Sequence, residues 1–261
     1  MLFIDTHCHL NYSSFEQDLE DVIQRAADEG VYRIIVPGLN VASSRKAVQL
    51  AEKYQSIYAA VGIYPGDVDD FSDDQASEII SLAHHPKVVA IGEIGLDYFH
   101  RTDNQERQHQ VFLKMLDIAS SMNLPILIHS REALAKITQI VTRWREDNPS
   151  LLYAGIFHAF EGGLEDARQL TKLGFLLGAG GPVTYKNAKT KHEVFSKISL
   201  SYITLETDAP FLSPQKHRGA RNEPAYIPII ANRIAELQGC SMNMVAEVTS
   251  SNVHTLFNWD D

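Results

Sequence analysis

Histidines and carboxylates recur in this 261-residue chain at the ends of short apolar runs. The first case is His7-Cys8-His9, which closes the run Phe3-Ile4-Asp5-Thr6. In an extended strand, residues two apart share a face, so His7 and His9 project together and Cys8 projects the other way. Two imidazoles side by side are half of a metal site. A lone His-X-His is equally a polar strand end, so the weight lies on the recurrence. Glu93 closes the run Lys87–Gly92, His129 closes Pro125–Ile128, His158 closes Ala154–Phe157 and Asp208 closes Tyr202–Thr207. Four imidazoles and two carboxylates suit borderline divalent cations such as Zn²⁺, Mn²⁺ or Co²⁺. Six such groups suffice for two ions that share a carboxylate. The reading assigns His7, His9, Glu93 and Asp208 to one ion and Glu93, His129 and His158 to the other, with Glu93 as the bridge.

The elements that must position these groups alternate along the chain. After the opening strand, residues 15–29 carry Leu19, Val22, Ile23 and Ala26 at helical spacing, with Gly30 as a stop. Strands follow at 33–38, 57–63, 87–93, 125–129, 154–158, 175–180 and 202–208. Helices lie at 42–54, 74–83, 105–122, 133–145, 164–172 and 189–198, and two more, 227–238 and 242–256, close the chain. Most strands are continuous apolar runs, as parallel strands buried on both faces must be. Strand–helix units repeating about every 30 residues fit an α/β TIM (β/α)8 barrel, read here as one domain over residues 1–261. An open doubly wound sheet would carry a glycine-rich phosphate loop after its first strand; here that strand ends in His-X-His. In a barrel the C-terminal strand ends share one face, where active sites are built.

Composition narrows the partners. A net charge of −10 argues against broad electrostatic wrapping of nucleic acid. It leaves room for a phosphate-bearing substrate held by a local basic cluster. No apolar run approaches a membrane span, and the N-terminus does not read as a signal peptide. With only Cys8 and Cys240, the chain fits a reducing compartment, and the cytoplasm is the simplest location. No obligate protein partner is evident. Cys8 reads as a small buried side chain, and His84, His85, His109, His192 and His254 read as solvated residues of helices.

Around the proposed site, Arg131 follows His129 by two residues and could clamp a phosphate oxygen in a bidentate way. Lys216, His217, Arg218 and Arg221 form a basic cluster after the eighth strand, and Tyr185-Lys186 could add to the same pocket. Asp97 could orient a ligand or substrate, or cap a helix. Asp5 shares the parity of His7 and could support it, or stabilise the barrel floor.

The segments Asp5-Thr6-His7-Cys8-His9-Leu10, Gly92-Glu93-Ile94-Gly95-Leu96-Asp97, His129-Ser130-Arg131, His158-Ala159-Phe160, Leu205-Glu206-Thr207-Asp208-Ala209-Pro210 and Arg218-Gly219-Ala220-Arg221-Asn222-Glu223-Pro224 together resemble the TatD family of metal-dependent hydrolases. The nearest branch is the one called YjjV, and the resemblance covers essentially the whole chain. It implies an amidohydrolase-type TIM barrel, two divalent ions (Zn, Mn, Mg or Co), and deoxyribonuclease-like hydrolysis of a phosphodiester, possibly of DNA. The family's metal ligands fall on the six residues already chosen. The resemblance also has one departure. Where the family carries a histidine near the substrate phosphate, after strand three, this chain has Tyr64, which can donate one hydrogen bond but is not cationic near neutral pH.

In the resulting reading, water attacks phosphorus with both ions stabilising charge. Asp208 and Glu93 are the catalytic carboxylates, Asp208 also taking a proton from the water. Arg131, Tyr64, Arg218, Arg221 and Asp97 contact substrate. The competing readings are hydrolysis of an amide or ester carbonyl on the same metals, which fold alone does not separate, and a non-catalytic metal-binding protein.

Overall fold

The computed structural model describes residues 1–149 and 154–259. The strands are β1 (Phe3–Asp5), β2 (Val31–Pro37), β3 (Ile57–Val61), β4 (Val88–Asp97), β5 (Ile126–Arg131), β6 (Gly155–Phe157), β7 (Phe175–Ala179) and β8 (Ile203–Leu205). The helices are α1 (Leu19–Asp28), α2 (Val41–Lys53), α3 (Asp73–Ala83), α4 (Gln105–Met122), α5 (Leu134–Asp147), α6 (Leu164–Lys172), α7 (Lys189–Lys197), α8 (Ile227–Gln238) and α9 (Met242–Phe257). The strands form one sheet in the order β1 to β8, a TIM-type barrel of alternating strands and helices. No helix among the described residues is long and apolar enough to cross a membrane.

Local chemistry sets the element ends. Asn40 and Ser43 make a reciprocal capping box at the start of α2, and Ser241 accepts a hydrogen bond from the Met244 amide at the start of α9. The left-handed Gly239 stops α8. The segment at residue 15 differs from expectation: Ser13–Phe15 is one 3-10 turn, and α1 begins only at Leu19. His192 and His254 are half-buried rather than solvated. His192 Nε2 lies 2.9 Å from the Val183 carbonyl and His254 Nε2 lies 2.6 Å from the Tyr32 hydroxyl.

The residues group into two compact units. One comprises residues 37–158 and 172–175. All ten residues of β4 are buried, and β4 pairs with β5 in parallel, Gly95 opposite His129 and Asp97 opposite Arg131. A side chain at Gly95 would bring a Cβ to 2.0 Å from the His129 carbonyl oxygen, so only glycine lets the two strands run this close. Ile91, Phe112, Met115, Ile126, Ile137 and the Phe157–Phe175 ring pair fill its core.

The other unit comprises residues 1–36, 159–171 and 176–261. Here the first and last strands meet. The Thr6 amide donates to the Leu205 carbonyl at 3.0 Å, Asp208 N–H to His7 O at 2.8 Å and His9 N–H to Ala209 O at 2.7 Å. The pairing thus runs past the ends of β1 and β8 and carries the chemistry-bearing residues on its extensions. Phe15, Val22, Phe195, Ile203, Ile230, Ile234 and Val245 are buried in this unit.

Candidate metal centres

Glu93, His129 and His158 converge in the first unit. Glu93 sits within β4, His129 within β5, and His158 directly follows β6, where its amide donates to Ile128 O at 3.1 Å. Glu93 Oε1 lies 2.9 Å from His129 Nδ1 and 3.2 Å from His158 Nε2, and the two ring nitrogens are 3.2 Å apart. Donors at ~2.0–2.1 Å around a tetrahedral ion stand about 3.3–3.4 Å from one another. This triangle is therefore nearly the right size for a divalent cation. Burial pushes the His129 imidazole toward the neutral form, yet hydrogen bonds to Asp97 and Glu93 outweigh it and raise its pKa. The surroundings of that ring demand positive charge, which a metal ion would supply.

Asp97, fully buried at the end of β4, supports this triangle. Its Oδ2 lies 2.9 Å from the Tyr64 hydroxyl, 3.2 Å from His129 Nε2 and 2.8 Å from His100 Nδ1. Its Oδ1 accepts the amides of Phe99 and His100 at 3.0 and 2.8 Å. Burial raises the pKa of this carboxyl, but the bonds from His129, His100 and Tyr64 hold it well below the usual carboxylate range. An ionised carboxylate only accepts. His129 must then carry its proton on Nε2 toward Asp97, leaving Nδ1 as the ligand atom, the arrangement usual for metal-bound histidine. Of the two roles read for Asp97, this geometry supports orientation of a ligand.

The Tyr64 hydroxyl, read from sequence as a substrate contact, spends its proton on Asp97. Replacement of Tyr64 by Phe is expected to destabilise the protein by about 1.5–3 kcal/mol, the scale of a hydrogen bond to a charged group. Chemical denaturation checks this, and an unchanged midpoint would show the bond to be idle.

In the second unit His7, His9 and Asp208 form a triangle of their own. The two Nε2 atoms are 3.2 Å apart, and Asp208 Oδ1 lies 3.4 Å from His9 Nε2 and 3.7 Å from His7 Nε2. These three also satisfy the spacing of a cation site; His7 and His9 are buried and Asp208 is partly exposed. Neither histidine lies within β1, and Asp208 lies beyond β8 in the left-handed region at φ 58°. A non-glycine residue in that region costs roughly 1–3 kcal/mol and persists only where its surroundings hold it. Two side chains do so. Asp5 accepts the Thr207 amide at 3.0 Å and the Thr207 hydroxyl at 2.5 Å. Burial raises its pKa to about 8 in spite of those bonds. Asn222 Nδ2 donates to Thr207 O at 2.8 Å and Phe211 O at 2.6 Å, clamping both ends of the turn. Loss of that clamp in Asn222→Ala is expected to cost about 2–3 kcal/mol, two buried bonds with their acceptors left unmet. Affinity for divalent metal in a titration should fall with it; a variant with wild-type stability and metal affinity would rule the clamp out.

The basic cluster separates on inspection. Arg221, expected on substrate phosphate, is instead committed to Asp18: Nη1 and Nη2 donate to the two carboxylate oxygens at 2.9 and 2.6 Å, and Nη1 also reaches Ser14 O at 2.5 Å. That bidentate fork uses up the geometry a phosphate would need. Arg218 is exposed and stacks its guanidinium 5.0 Å from the centre of the Tyr185 ring. His217 stacks on Tyr226 at 4.0 Å. In the first unit, Arg131 ends β5 with its guanidinium 5.0 Å from the centre of the Phe99 ring. The sequence assigned no role to His100 or to Asn222. The signal for His100 was its place three residues after Asp97; no signal of spacing pointed to Asn222.

A parallel α/β barrel whose strand ends carry histidine and carboxylate triangles of this size defines a metal-dependent hydrolase. The chain matches the family model described as TatD related DNase over residues 4–258 and belongs to that family. It is 42% identical over 257 residues to the Bacillus subtilis protein named uncharacterized metal-dependent hydrolase YabD, covering 98% of this chain and 99% of the relative. It is 33% identical over 258 residues to the Escherichia coli 3'-5' ssDNA/RNA exonuclease TatD, covering 97% and 98%. The crystal structure of the TatD homologue YjjV from E. coli superposes with a TM-score of 0.93 at 35% identity, covering 99% and 98%.

Proposed function

We propose that residues 1–261 act as one catalytic domain that hydrolyses phosphodiester bonds of DNA or another nucleic-acid-derived substrate, with two divalent ions (Zn, Mn, Mg or Co). His7, His9 and Asp208 hold one ion, His129 and His158 the other, and Glu93 is shared between them. The observation that carries the reading is the Glu93–His129–His158 triangle with Asp97 behind it, a ligand set with its protons already directed. Ions held there supply Lewis acidity toward a phosphoryl oxygen and lower the pKa of a water. Asp208 accepts a proton from the attacking water. Arg131 and Arg218 bind phosphate oxygens, while Tyr64 and Asp97 act through the imidazoles. The exonuclease named above supports a nucleic-acid substrate, and the free thiols of Cys8 and Cys240 support a cytoplasmic location.

The test is a screen of metal-reconstituted protein against single-stranded oligonucleotides, phosphomonoesters, carboxyl esters and amides. Cleavage of phosphodiesters with a dependence on added divalent metal is the expected result. Turnover of esters or amides alone would overturn the phosphodiester reading in favour of carbonyl hydrolysis.

A further inference from the structure

We propose that the Phe211 ring is a stacking platform for a base of the substrate, beside the cation site of His7, His9 and Asp208. The inference rests on the phosphodiesterase reading above and deepens it by naming what binds next to the scissile bond. Phe211 follows Asp208 by three residues and is 46% exposed. A single exposed apolar side chain is ordinary on a protein surface. Phe211 differs in where it sits and in how firmly it is held.

Its place is against a candidate metal ligand. The centre of its ring lies 6.1 Å from that of His9 and 5.4 Å from that of Tyr12, and the Tyr12 and His9 centres are 5.2 Å apart. These separations are those of aromatic rings in contact. The Tyr12 ring stands at 90° to Phe211 and the His9 ring at 72°. Neither stacks parallel on Phe211, and nearly half of the residue stays open to solvent, so a flat group can lie against it.

The backbone under the ring is fixed. The Phe211 amide donates to the Asp208 carbonyl at 2.9 Å, and the Phe211 carbonyl accepts from Asn222 Nδ2 at 2.6 Å. Leu212, 41% exposed, has a left-handed φ of 53°, a conformation rare for a bulky side chain. A Cβ on Gly181 would lie 2.0 Å from the Leu212 carbonyl oxygen, so the turn is seated directly on the segment that follows β7. The Tyr185 hydroxyl donates to the Ser213 carbonyl at 2.8 Å. Two apolar side chains are thus presented to water by a turn that is strained and pinned on both sides. Covering the Phe211 ring with a flat apolar face removes that surface from water, and the rigid turn keeps the ordering cost of binding low.

The chemistry around the ring selects the occupant. On one side lies the histidine and carboxylate triangle. On the other, Tyr185, which pins the turn, carries the Arg218 guanidinium 5.0 Å from its ring centre. A cation site, an apolar ring and an arginine on one loop match a nucleotide, whose base has flat faces and whose sugar joins it to phosphates. Every base has such a face, so the platform binds bases without reading sequence. A phosphoester that carries no ring would fill the cation site and leave Phe211 in water.

The experiment has a binding arm and a kinetic arm, both on metal-reconstituted wild type, Phe211→Ala and Phe211→Trp. In the first, titration calorimetry compares deoxyadenylate with deoxyribose phosphate, the same sugar and phosphate without the base. In the second, steady-state kinetics compares a deoxydinucleotide with its analogue in which abasic sugars replace the nucleosides. We expect wild type to bind deoxyadenylate roughly 10- to 100-fold more tightly than deoxyribose phosphate, the range for stacking of one base on an aromatic side chain. Phe211→Ala should remove most of that preference and raise KM for the dinucleotide by a similar factor, with the abasic analogue unaffected and metal content unchanged. Phe211→Trp should keep the preference. Equal affinity of wild type for the two phosphates, or equal weakening of both by Phe211→Ala, would overturn the platform; turnover of the dinucleotide would then leave the phosphodiesterase reading standing. A Phe211→Ala variant that keeps its base preference but changes oligomeric state on sedimentation would assign the ring to a contact between copies of the chain and overturn the proposal. A base preference that depends on Phe211, without turnover of the dinucleotide, would overturn the phosphodiesterase reading alone. Binding of neither phosphate and turnover of neither substrate would overturn both.

Discussion

Alanine at His129 or His158 is expected to abolish stoichiometric binding of divalent metal at that triangle and to lower kcat/KM by about three orders of magnitude or more. The magnitude follows from the several kcal/mol of transition-state stabilisation that an ion supplies, at a factor of ten for each ~1.4 kcal/mol. Each ring provides one of three donors that stand 2.9–3.2 Å apart, and two donors do not close a cation site. The fold should survive, because the strands carrying these residues are held by buried apolar neighbours such as Leu127, Ile128, Ile156 and Phe157. Elemental analysis and circular dichroism on the same preparations check both halves. Full metal content in both variants would remove these histidines from the ligand set.

Asp208→Asn separates ligation from proton transfer. An amide keeps the size of the side chain and one oxygen near His7 and His9, but it is a far poorer base. We expect kcat to fall by roughly two to four orders of magnitude, the usual span for loss of general-base help, with part of the metal retained. The backbone turn should be unaffected, since Asp5 and Asn222 hold it through Thr207 and Phe211 rather than through the Asp208 side chain. Steady-state kinetics with parallel metal analysis makes the measurement. A near-wild-type kcat would take the base out of the mechanism.

Much of this protein could be read from one dimension. Apolar runs such as Val88–Ile91 and Ile126–Ile128 announce strands buried on both faces, because a parallel strand covered by helices has no polar face to show. Helices 105–122, 164–172 and 227–238 follow from apolar spacing, which acts over a turn or two of chain. The candidate ligands were visible for the same reason: a polar residue that ends an apolar strand has nowhere to point except the rim. The ends of the first and last strands were not legible. His7, His9 and Asp208 sit on extensions whose pairing depends on partners about 200 residues away in sequence, and the left-handed turn at Asp208 is stabilised by Asp5 across that distance and by Asn222 from 15 residues beyond Thr207.

Composition and spacing thus determined the barrel, the metal-binding character and the six side chains to test. Only the tertiary structure decided what their neighbours do. A basic residue in a list is one charge, but in the folded chain Arg221 is consumed by Asp18 while Arg218 stays exposed on Tyr185. A tyrosine in the place of a histidine looks like a substrate contact until its hydroxyl is found on Asp97. Hydrogen bonding and ion pairing saturate over distances of about 3 Å, and residues far apart in sequence come within that range only when the strands close. For that reason the pairing of Asp97 with Tyr64 and His129 belongs to the fold and not to the spacing of residues along the chain, whereas His100 meets Asp97 within three residues of chain.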